Sequence, residues 1–344
     1  MSSKIFMKRI VKLVGLLTLI IGLVLFLLLF VQSSSNDKHQ EVYIKKHWSP
    51  DEYNRYLNLN FGFNLPMGLA YWTNEIGFKM QTSRFVLPPH TSIWNYFKLL
   101  RKNRNQTVNV TIPPGVFYKE VERLLMKQFA FEKREIRDFF SNSNNWSDLG
   151  TDAFNWTSLI IPNTYNFSRN TDLFSFFERL ASEKALFWNA ERKSKLRKQK
   201  LTLQEAVTLA SIVQKESLKT DEYETIAGVY INRLRINMFL GADPTLVFIR
   251  GKGGRVYNKD MNLDSPYNTY RNKGLPPGPI CIPSSQAIDA VLNYTEHPYL
   301  YFCAKSDLSG YHVFARHYKD HLKNARLFQR KLNELERKKK SHRK

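Results

Sequence analysis

Nineteen consecutive residues without a charge, LVGLLTLIIGLVLFLLLFV (Leu13–Val31), constrain this chain more than any other stretch. As a helix rising about 1.5 Å per residue, such a run covers the roughly 30 Å hydrocarbon core of a bilayer, so residues 13–32 are expected as a single transmembrane helix. Lys4, Lys8, Arg9 and Lys12 precede it and SSSND follows. The positive-inside bias then makes residues 1–12 a cytoplasmic tail, 33–40 a linker, and everything from about Ser33 onward extracytoplasmic. A cleaved signal peptide is the competing reading. Its apolar region is usually shorter, however, and no small-x-small cleavage site follows this one.

A little over 300 of the 344 residues follow the apolar run, enough for about two domains with cores of their own. Hydrophobic residues make up 43% and aromatic residues 14%, a globular composition. The net charge of +22 is concentrated in ERKSKLRKQK (191–200) and in a basic tail, ERKKKSHRK (336–344). Beyond a membrane, the polyanions within reach are lipid head groups and wall polymers. Nucleic acid is an unsuitable partner there, and the chain carries no nucleic-acid reading motif. Cys281 and Cys303 are consistent with one disulfide or with two buried thiols.

One pattern recurs three times between the apolar run and about residue 130. The segments 43–57, 85–100 and 110–125 each run from a short extended stretch, through a turn with Pro, Gly, Ser or His, into an amphipathic helix. The polar stretch 141–156 reads as a boundary. After it come an extended segment at 159–167, a long helix over 174–196, helices over 203–216 and 225–240, a Gly- and Pro-rich loop over 251–283, a buried strand at 299–304 and a last helix from about Tyr318. Asp243 and Pro244 read as the N-cap and first position of another helix. The whole is expected to be α+β.

Chemistry is concentrated in a few places. Thr202 and Glu205 form a capping box, and the helix they start presents Leu209, Ile212 and Val213 on a face destined for the core, with Glu216 on that same face. A carboxyl there is partly desolvated, which raises its pKa toward the range useful to a general acid; the structural alternatives are an ion pair with Arg or Lys, or a helix that ends there and leaves the side chain in water. In the loop SPYNTYRNKGLPPGPI (265–280), Tyr267, Asn268, Thr269 and Tyr270 combine aromatic faces with amide and hydroxyl groups suited to sugars, or simply pack the loop. His317 and His321 are four apart, as a shared metal would need, but the chain has no H-E-x-x-H, no C-x-x-C and no G-x-S-x-G. GKGGR (251–255) lacks the pattern of a phosphate loop and reads as a turn. No metal or cofactor is expected.

LASIVQKES, IAGVYINRL, GADPTLVF, SPYNTYRNKGLPPGPI, YLYFCA, and GYHVF followed by Asp320-His321 stand in one order along the chain. In that order they resemble the MltG (YceG-like) endolytic murein transglycosylase family. The resemblance implies a LysM-like α/β subdomain over 41–140 and a mixed α+β catalytic domain over 155–335. It also implies a bacterial inner-membrane location with a periplasmic catalytic domain, peptidoglycan glycan strands as substrate, the lipid bilayer as anchor, and peptidoglycan synthases as partners. Glu216 takes the place of the family's catalytic acid, cleaving the MurNAc-GlcNAc β-1,4 bond with formation of a 1,6-anhydro end. Glu222 matches a family carboxylate that stabilises the positive centre or holds Glu216 in place, with a role at a helix start as the structural alternative. Asp243 and Thr245 are implied in the cleft, with Tyr267, Asn268, Thr269 and Tyr270 as glycan contacts. His312 and His321 also match family positions. The chain departs from the family at Gln214, where Glu is common, and at Asn163, where Asp is common.

Two rivals remain from other classes. A type II Golgi glycosyltransferase fits the single anchor, the basic catalytic domain and several sequons, among them Asn145, Asn155 and Asn293, but the chain has no D-x-D. A wall-binding protein without activity would keep the same fold.

Overall fold

The computed structural model describes residues 13–24, 33–44, 48–63, 83–103, 107–129, 131–169 and 171–341. Residues 13–24 are helical. The expected cytoplasmic tail and residues 25–32 of the expected span lie outside the described residues. Among the described residues no helix is long and apolar enough to cross a membrane. The chain divides into two compact units: Met1–Val110 with Leu124–Glu132 and Asn166–Asp172, and Thr111–Arg123 with Lys133–Tyr165 and Leu173–Lys344. This grouping cuts across the stretches 41–140 and 155–335.

In the first unit, β1 (Gln40–Ile44) pairs antiparallel with β2 (Ser83–Leu87), setting Val42 opposite Phe85 and Gln40 opposite Leu87. Val42, Ile44, Phe85 and Leu87 are buried, the period of two that turns one face of a ribbon inward. Ser49 and Glu52 form the capping box that starts α1 (Pro50–Phe61), and Gly62, at φ 68°, ends it. Helix α2 (Ile93–Asn103) follows β2. Tyr53, Leu57, Phe61, Phe63 and Tyr96 complete the core, and the Tyr53 and Tyr96 hydroxyls satisfy each other at 2.7 Å. The first two sequence repeats thus form one body. In the third, β3 (Thr107–Ile112) leads to α3 (Tyr118–Gln128), and β3 pairs with the distant β4 (Asn163–Ser168).

The second unit contains α4 (Lys133–Ser141), α5 (Ser143–Asp148), α6 (Leu173–Phe187), α7 (Ala190–Gln199), α8 (Leu203–Glu216), α9 (Tyr223–Arg235), α10 (Asp243–Arg250), α11 (Ser285–Leu292), the hairpin β5 (Tyr301–Ala304) and β6 (His312–Ala315), and α12 (Tyr318–Ser341). Helix α8 is the centre of its core. Ala206, Val207, Leu209, Ala210, Ile212 and Val213 are all buried and pack against α9, α10 and α11. Full burial of each larger aliphatic side chain contributes about 1.5–3 kcal/mol.

Three expectations are corrected. The stretch 141–156 is not a boundary: Trp146 and Trp156 are buried there and pack with Phe139, Phe140 and Phe177. Polar composition masked two indoles that anchor the segment. The helix expected over 174–196 is two helices, because the Asn189 side chain accepts the Arg192 amide at 3.0 Å and so caps α7. The strand expected to be buried at 299–304 is the half-buried β5, paired among the described residues with β6 alone.

Candidate active site

Helix α8 aims the site. Its start is fixed by the capping box: Glu205 N–H donates to Thr202 Oγ1 at 3.2 Å and Thr202 N–H to Glu205 Oε2 at 2.7 Å. Along its length, three polar side chains knit it to the segment before α11. Ser211 Oγ accepts from Ile280 N (2.9 Å), Cys281 Sγ donates to the Ser211 carbonyl (3.4 Å), and Gln214 Oε1 accepts from Ser284 N (3.0 Å). Gln214 also donates through Nε2 to Tyr223 Oη (3.0 Å). A carboxylate could accept but not donate, so the amide at this departure from the family pattern suits its place. Cys281 and Cys303 are both free thiols, and burial pushes Cys281 up to about 12.

Glu216 is the last residue of α8 and lines a cavity of about 900 Å³, toward the upper end of the roughly 300–1,000 Å³ usual for ligand sites. Burial is the main cause that pushes its carboxyl up from 4.5 to about 7. A hydrogen bond from the Tyr230 hydroxyl to Oε1 opposes the rise, the charge of Asp243 adds to it, and Arg233 opposes it. Lying at the negative end of a helix dipole also disfavours the anion. Tyr230 is buried on α9 and braced edge-on by Phe302 of β5. Burial and the nearby Glu216 hold its phenol well above 10, so it stays a donor.

Asp243 faces the same cavity. It is not the N-cap expected from the sequence: Ala242 holds that position, without a side-chain hydrogen bond, and Asp243 and Pro244 occupy the first turn of α10. Its Oδ1 instead accepts from the Tyr270 hydroxyl at 2.6 Å. Arg233 donates from Nε to the Leu300 carbonyl at 2.7 Å and from Nη1 to the Leu240 carbonyl, which ties α9 to the turn before α10. Glu216, Tyr230, Asp243 and Tyr270 thus form one group of acids and phenols.

The other expected site residues serve the frame. Asn268 is fully buried, donates to the Met261 and Leu263 carbonyls (2.9 and 2.7 Å) and accepts from Tyr270 N (3.0 Å). Thr269, 2% exposed, accepts from Ala242 N (2.9 Å), and its hydroxyl meets that of Thr245 at 3.0 Å. Tyr267 packs its ring on Phe248. With their polar atoms turned inward, Asn268, Thr269 and Thr245 hold the loop that positions Tyr270 against Asp243, where the sequence suggested sugar contacts. Glu222, 8% exposed, accepts from Ser217 Oγ (3.2 Å), His312 N (2.7 Å) and His312 Nδ1 (2.8 Å). It binds the residue that follows Glu216 to β6, and His312 acquires its role as the partner of Glu222.

His321 stacks on Tyr301 and Tyr318, and His317 is exposed. Among the described residues no group of three or more His, Cys, Asp or Glu could hold a metal.

Sequence reasoning passed over Tyr230, which lies within the helix expected over 225–240. A phenol among Ile226, Val229 and Leu234 needs a buried acceptor, which is the same signal that singled out Glu216. It also passed over Phe117 and Tyr118. The turn Pro113-Pro114-Gly115 brings them to the cavity: Gly115 N donates to Ile282 O (2.7 Å) and Ile282 N to Val116 O (3.1 Å). Gly115 has φ 78°, and a Cβ there would stand 3.3 Å from Lys215 Nζ, so the turn takes glycine. The rings of Phe140 and Trp156 hold Tyr118 edge-on.

Fold and site together define an α+β protein whose central helix ends in a raised-pKa carboxyl at an aromatic-lined cavity. The YceG-like family matches residues 44–327, most of the chain, and the protein belongs to that family. Over 132 residues it is 41% identical to the endolytic murein transglycosylase of Bacillus subtilis (strain 168), covering 38% of this chain and 36% of that protein. Over 173 residues it is 36% identical to the endolytic murein transglycosylase of Streptococcus pneumoniae serotype 2 (strain D39 / NCTC 7466), covering 48% and 31%. The matches thus span about a third of the length of these curated relatives. The crystal structure of a YceG-like protein from Listeria monocytogenes superposes with a TM-score of 0.57 at 21% identity, covering 84% of this chain and 99% of that one; the likeness is one of fold.

Proposed function

We propose that this protein is a membrane-anchored lytic transglycosylase that cuts the glycan of peptidoglycan within the strand, with Glu216 as its acid and then its base. The carrying observation is a single carboxyl, raised to about 7, whose Oε1 is held by Tyr230 at the edge of the cavity. Family membership and the names of its relatives support the same reading.

In the proposed reaction the Glu216 carboxyl gives its proton to the oxygen of the MurNAc-GlcNAc β-1,4 bond. The C1–O bond breaks, and C1 of the muramoyl residue becomes oxocarbenium-like. The resulting carboxylate takes the proton of the C6 hydroxyl on that same sugar, and O6 bonds to C1, closing a 1,6-anhydro ring. No water is consumed and Glu216 ends protonated. A hydrolase of sugars uses a second carboxylate as base or nucleophile. Here the nucleophile is tethered to the reacting sugar, so its position needs no such group. Asp243 supports both halves of the cycle: its charge favours the protonated acid and faces the developing cation.

The run Leu13–Val31 and its basic flank support an anchor with the N-terminus in the cytoplasm and the catalytic unit outside. There it would meet nascent strands and the synthases that make them, and residues 41–140 would serve as a LysM-like module. The deciding test is a digest of intact peptidoglycan by wild type and by Glu216→Gln, read by mass spectrometry. Anhydro-muramoyl ends made by wild type and lost in the variant support the reading. Reducing ends, or cleavage that survives the substitution, refute it.

A further inference from the structure

We propose that the cationic rim of this cavity is a subsite for carboxylates on the peptide stems of the glycan, selecting stem-bearing strands over bare ones. The proposal rests on reading the cavity as a glycan site.

Three carboxylates line the cavity, and each has a donor from within the protein. Glu120 Oε2 accepts from Phe117 N at 3.0 Å, Glu216 from Tyr230, and Asp243 from Tyr270. The four cations of the lining, Lys119, Lys215, Lys252 and Arg255, are arranged differently. Among the described residues none of them lies in an ion pair with a carboxylate. Each acid thus has a donor of its own, although Glu120 and Asp243 are exposed, while the bases have no carboxylate partner; with four cations against three carboxylates, the cavity offers positive potential to an anion.

Three of these cations are placed by construction. Lys215 Nζ lies 4.4 Å from the centre of the Phe117 ring, beside Gly115. Lys252 and Arg255 sit on a loop that three glycines, Gly251, Gly253 and Gly254, would otherwise leave loose. Arg250 secures it, donating from Nη2 to Gly254 O (3.0 Å) and from Nη1 to both Arg255 O and Asp260 Oδ2 (each 2.9 Å). Asp260 Oδ2 in turn accepts from Tyr257 N at 2.8 Å. The Arg250 and Asp260 side chains are only 13% and 7% exposed. A shielded ion pair that staples a glycine-rich loop, and thereby holds two exposed cations at a cavity edge, suits a loop that binds. The sequence had offered only a turn there.

The anions that a murein strand itself carries are the free carboxylates of its stems; phosphate would come from another polymer or a lipid head group. The test uses the full chain bearing Glu216→Gln, so that nothing is cut, with and without Lys252→Ala and Arg255→Ala. Affinity is measured for stem-bearing strands, for the same strands stripped by an amidase, and for strands whose stem carboxyls are amidated. Stem-bearing strands are expected to bind about three- to tenfold more tightly than either other form, the span that a few exposed ion pairs provide. The preference should shrink as salt rises. It should fall by at least half in the double variant, which keeps Lys119 and Lys215, while the affinity for stripped strands stays as before.

Equal affinity for native and amidated stems overturns the proposal, as does a preference left undiminished by the double substitution or an absence of binding to every strand. Binding only to phosphate-bearing polymer or to anionic vesicles overturns it in favour of that source. If wild type cuts nothing while the stem preference holds, the catalytic reading fails and the subsite stands.

Discussion

Glu216 and Glu222 stand six residues apart, one at the end of α8 and the other in the turn leading to α9, and the surroundings of the two carboxylates are opposite. Glu222 has three donors, from Ser217, the His312 backbone and the His312 ring. Each of its oxygens is engaged by these donors. Glu216 has one donor, Tyr230 on Oε1, with the negative end of its own helix behind it and Asp243 across the cavity. Glu222 is buried and Glu216 half-buried. The number of donors separates a carboxylate that holds the frame from one that can carry a proton.

The sharpest way to break this comparison is to exchange the two losses. Glu216→Gln should lower cleavage by at least about 10²–10⁴-fold, the usual share of a general acid, and should leave the melting temperature at neutral pH unchanged or raised. Glu222→Gln keeps an acceptor for His312 and should keep cleavage within about tenfold of wild type, because the carboxylate holds the frame and does not touch the sugar. If the second substitution abolishes cleavage in a protein that melts as wild type does, Glu222 belongs to the chemistry and the contrast collapses.

Stability gives the next largest effect. Glu222→Ala leaves the His312 ring, its backbone N–H and the Ser217 hydroxyl without their shared acceptor in a nearly dry place. Breaking a buried pair of this kind costs about 2–4 kcal/mol, read as an earlier midpoint in denaturant. A loss below about 0.5 kcal/mol, the range of ordinary surface changes, would show that β6 is held to this turn by other contacts.

A third effect has its sign set by the raised pKa. Glu216 titrates near 7 in the folded protein against an ordinary 4.5, so the folded state holds a proton that the unfolded state has released. Its contribution is intact below about pH 4.5 and is lost as pH rises toward and through 7. Glu216→Gln cannot lose it. The stability of the variant minus that of wild type should therefore climb across this window by about 1–3 kcal/mol, allowing for solvent in the cavity. Denaturant midpoints at three pH values give this difference, in which the remaining titrating groups cancel. A flat difference would mean an unshifted carboxyl.

Much of this contrast was legible in the sequence, and what was hidden had specific physical causes. Helix α8, its capping box and Glu216 could be read because the helical period of Leu209, Ile212 and Val213 is local. The three strand-turn-helix repeats were readable for the same reason. The partner of β3 was not, since β4 lies some fifty residues on and pairing of that kind leaves no local trace. Asn268 and Thr269 looked like sugar ligands because their hydrogen-bonding groups are the same whether they face outward or inward; only the fold brings the Met261, Leu263 and Ala242 backbones to them. Asp243 has the chemistry of a helix cap, and it was the approach of Tyr270, 27 residues away in sequence, that engaged it elsewhere.

The finest test asks which neighbours set the acid. Tyr230 and Asp243 act on Glu216 with opposite signs: the phenol donates to the carboxylate and lowers its pKa, while the charge of Asp243 raises it. In a reaction that begins with proton donation, the basic limb of the pH profile of kcat/KM follows the free enzyme's acid, near pH 7 for wild type. Tyr230→Phe should move that limb upward and Asp243→Asn downward, each by about half a unit to one unit. Plateau rates should fall about tenfold with the phenol gone, since the acid is then less firmly aimed. A loss of packing alone lowers a rate without moving its limb. Shifts in opposite directions would tie both residues to Glu216 through charge and hydrogen bonding, whereas limbs that stay together at the wild-type pH would mean that burial alone tunes the acid.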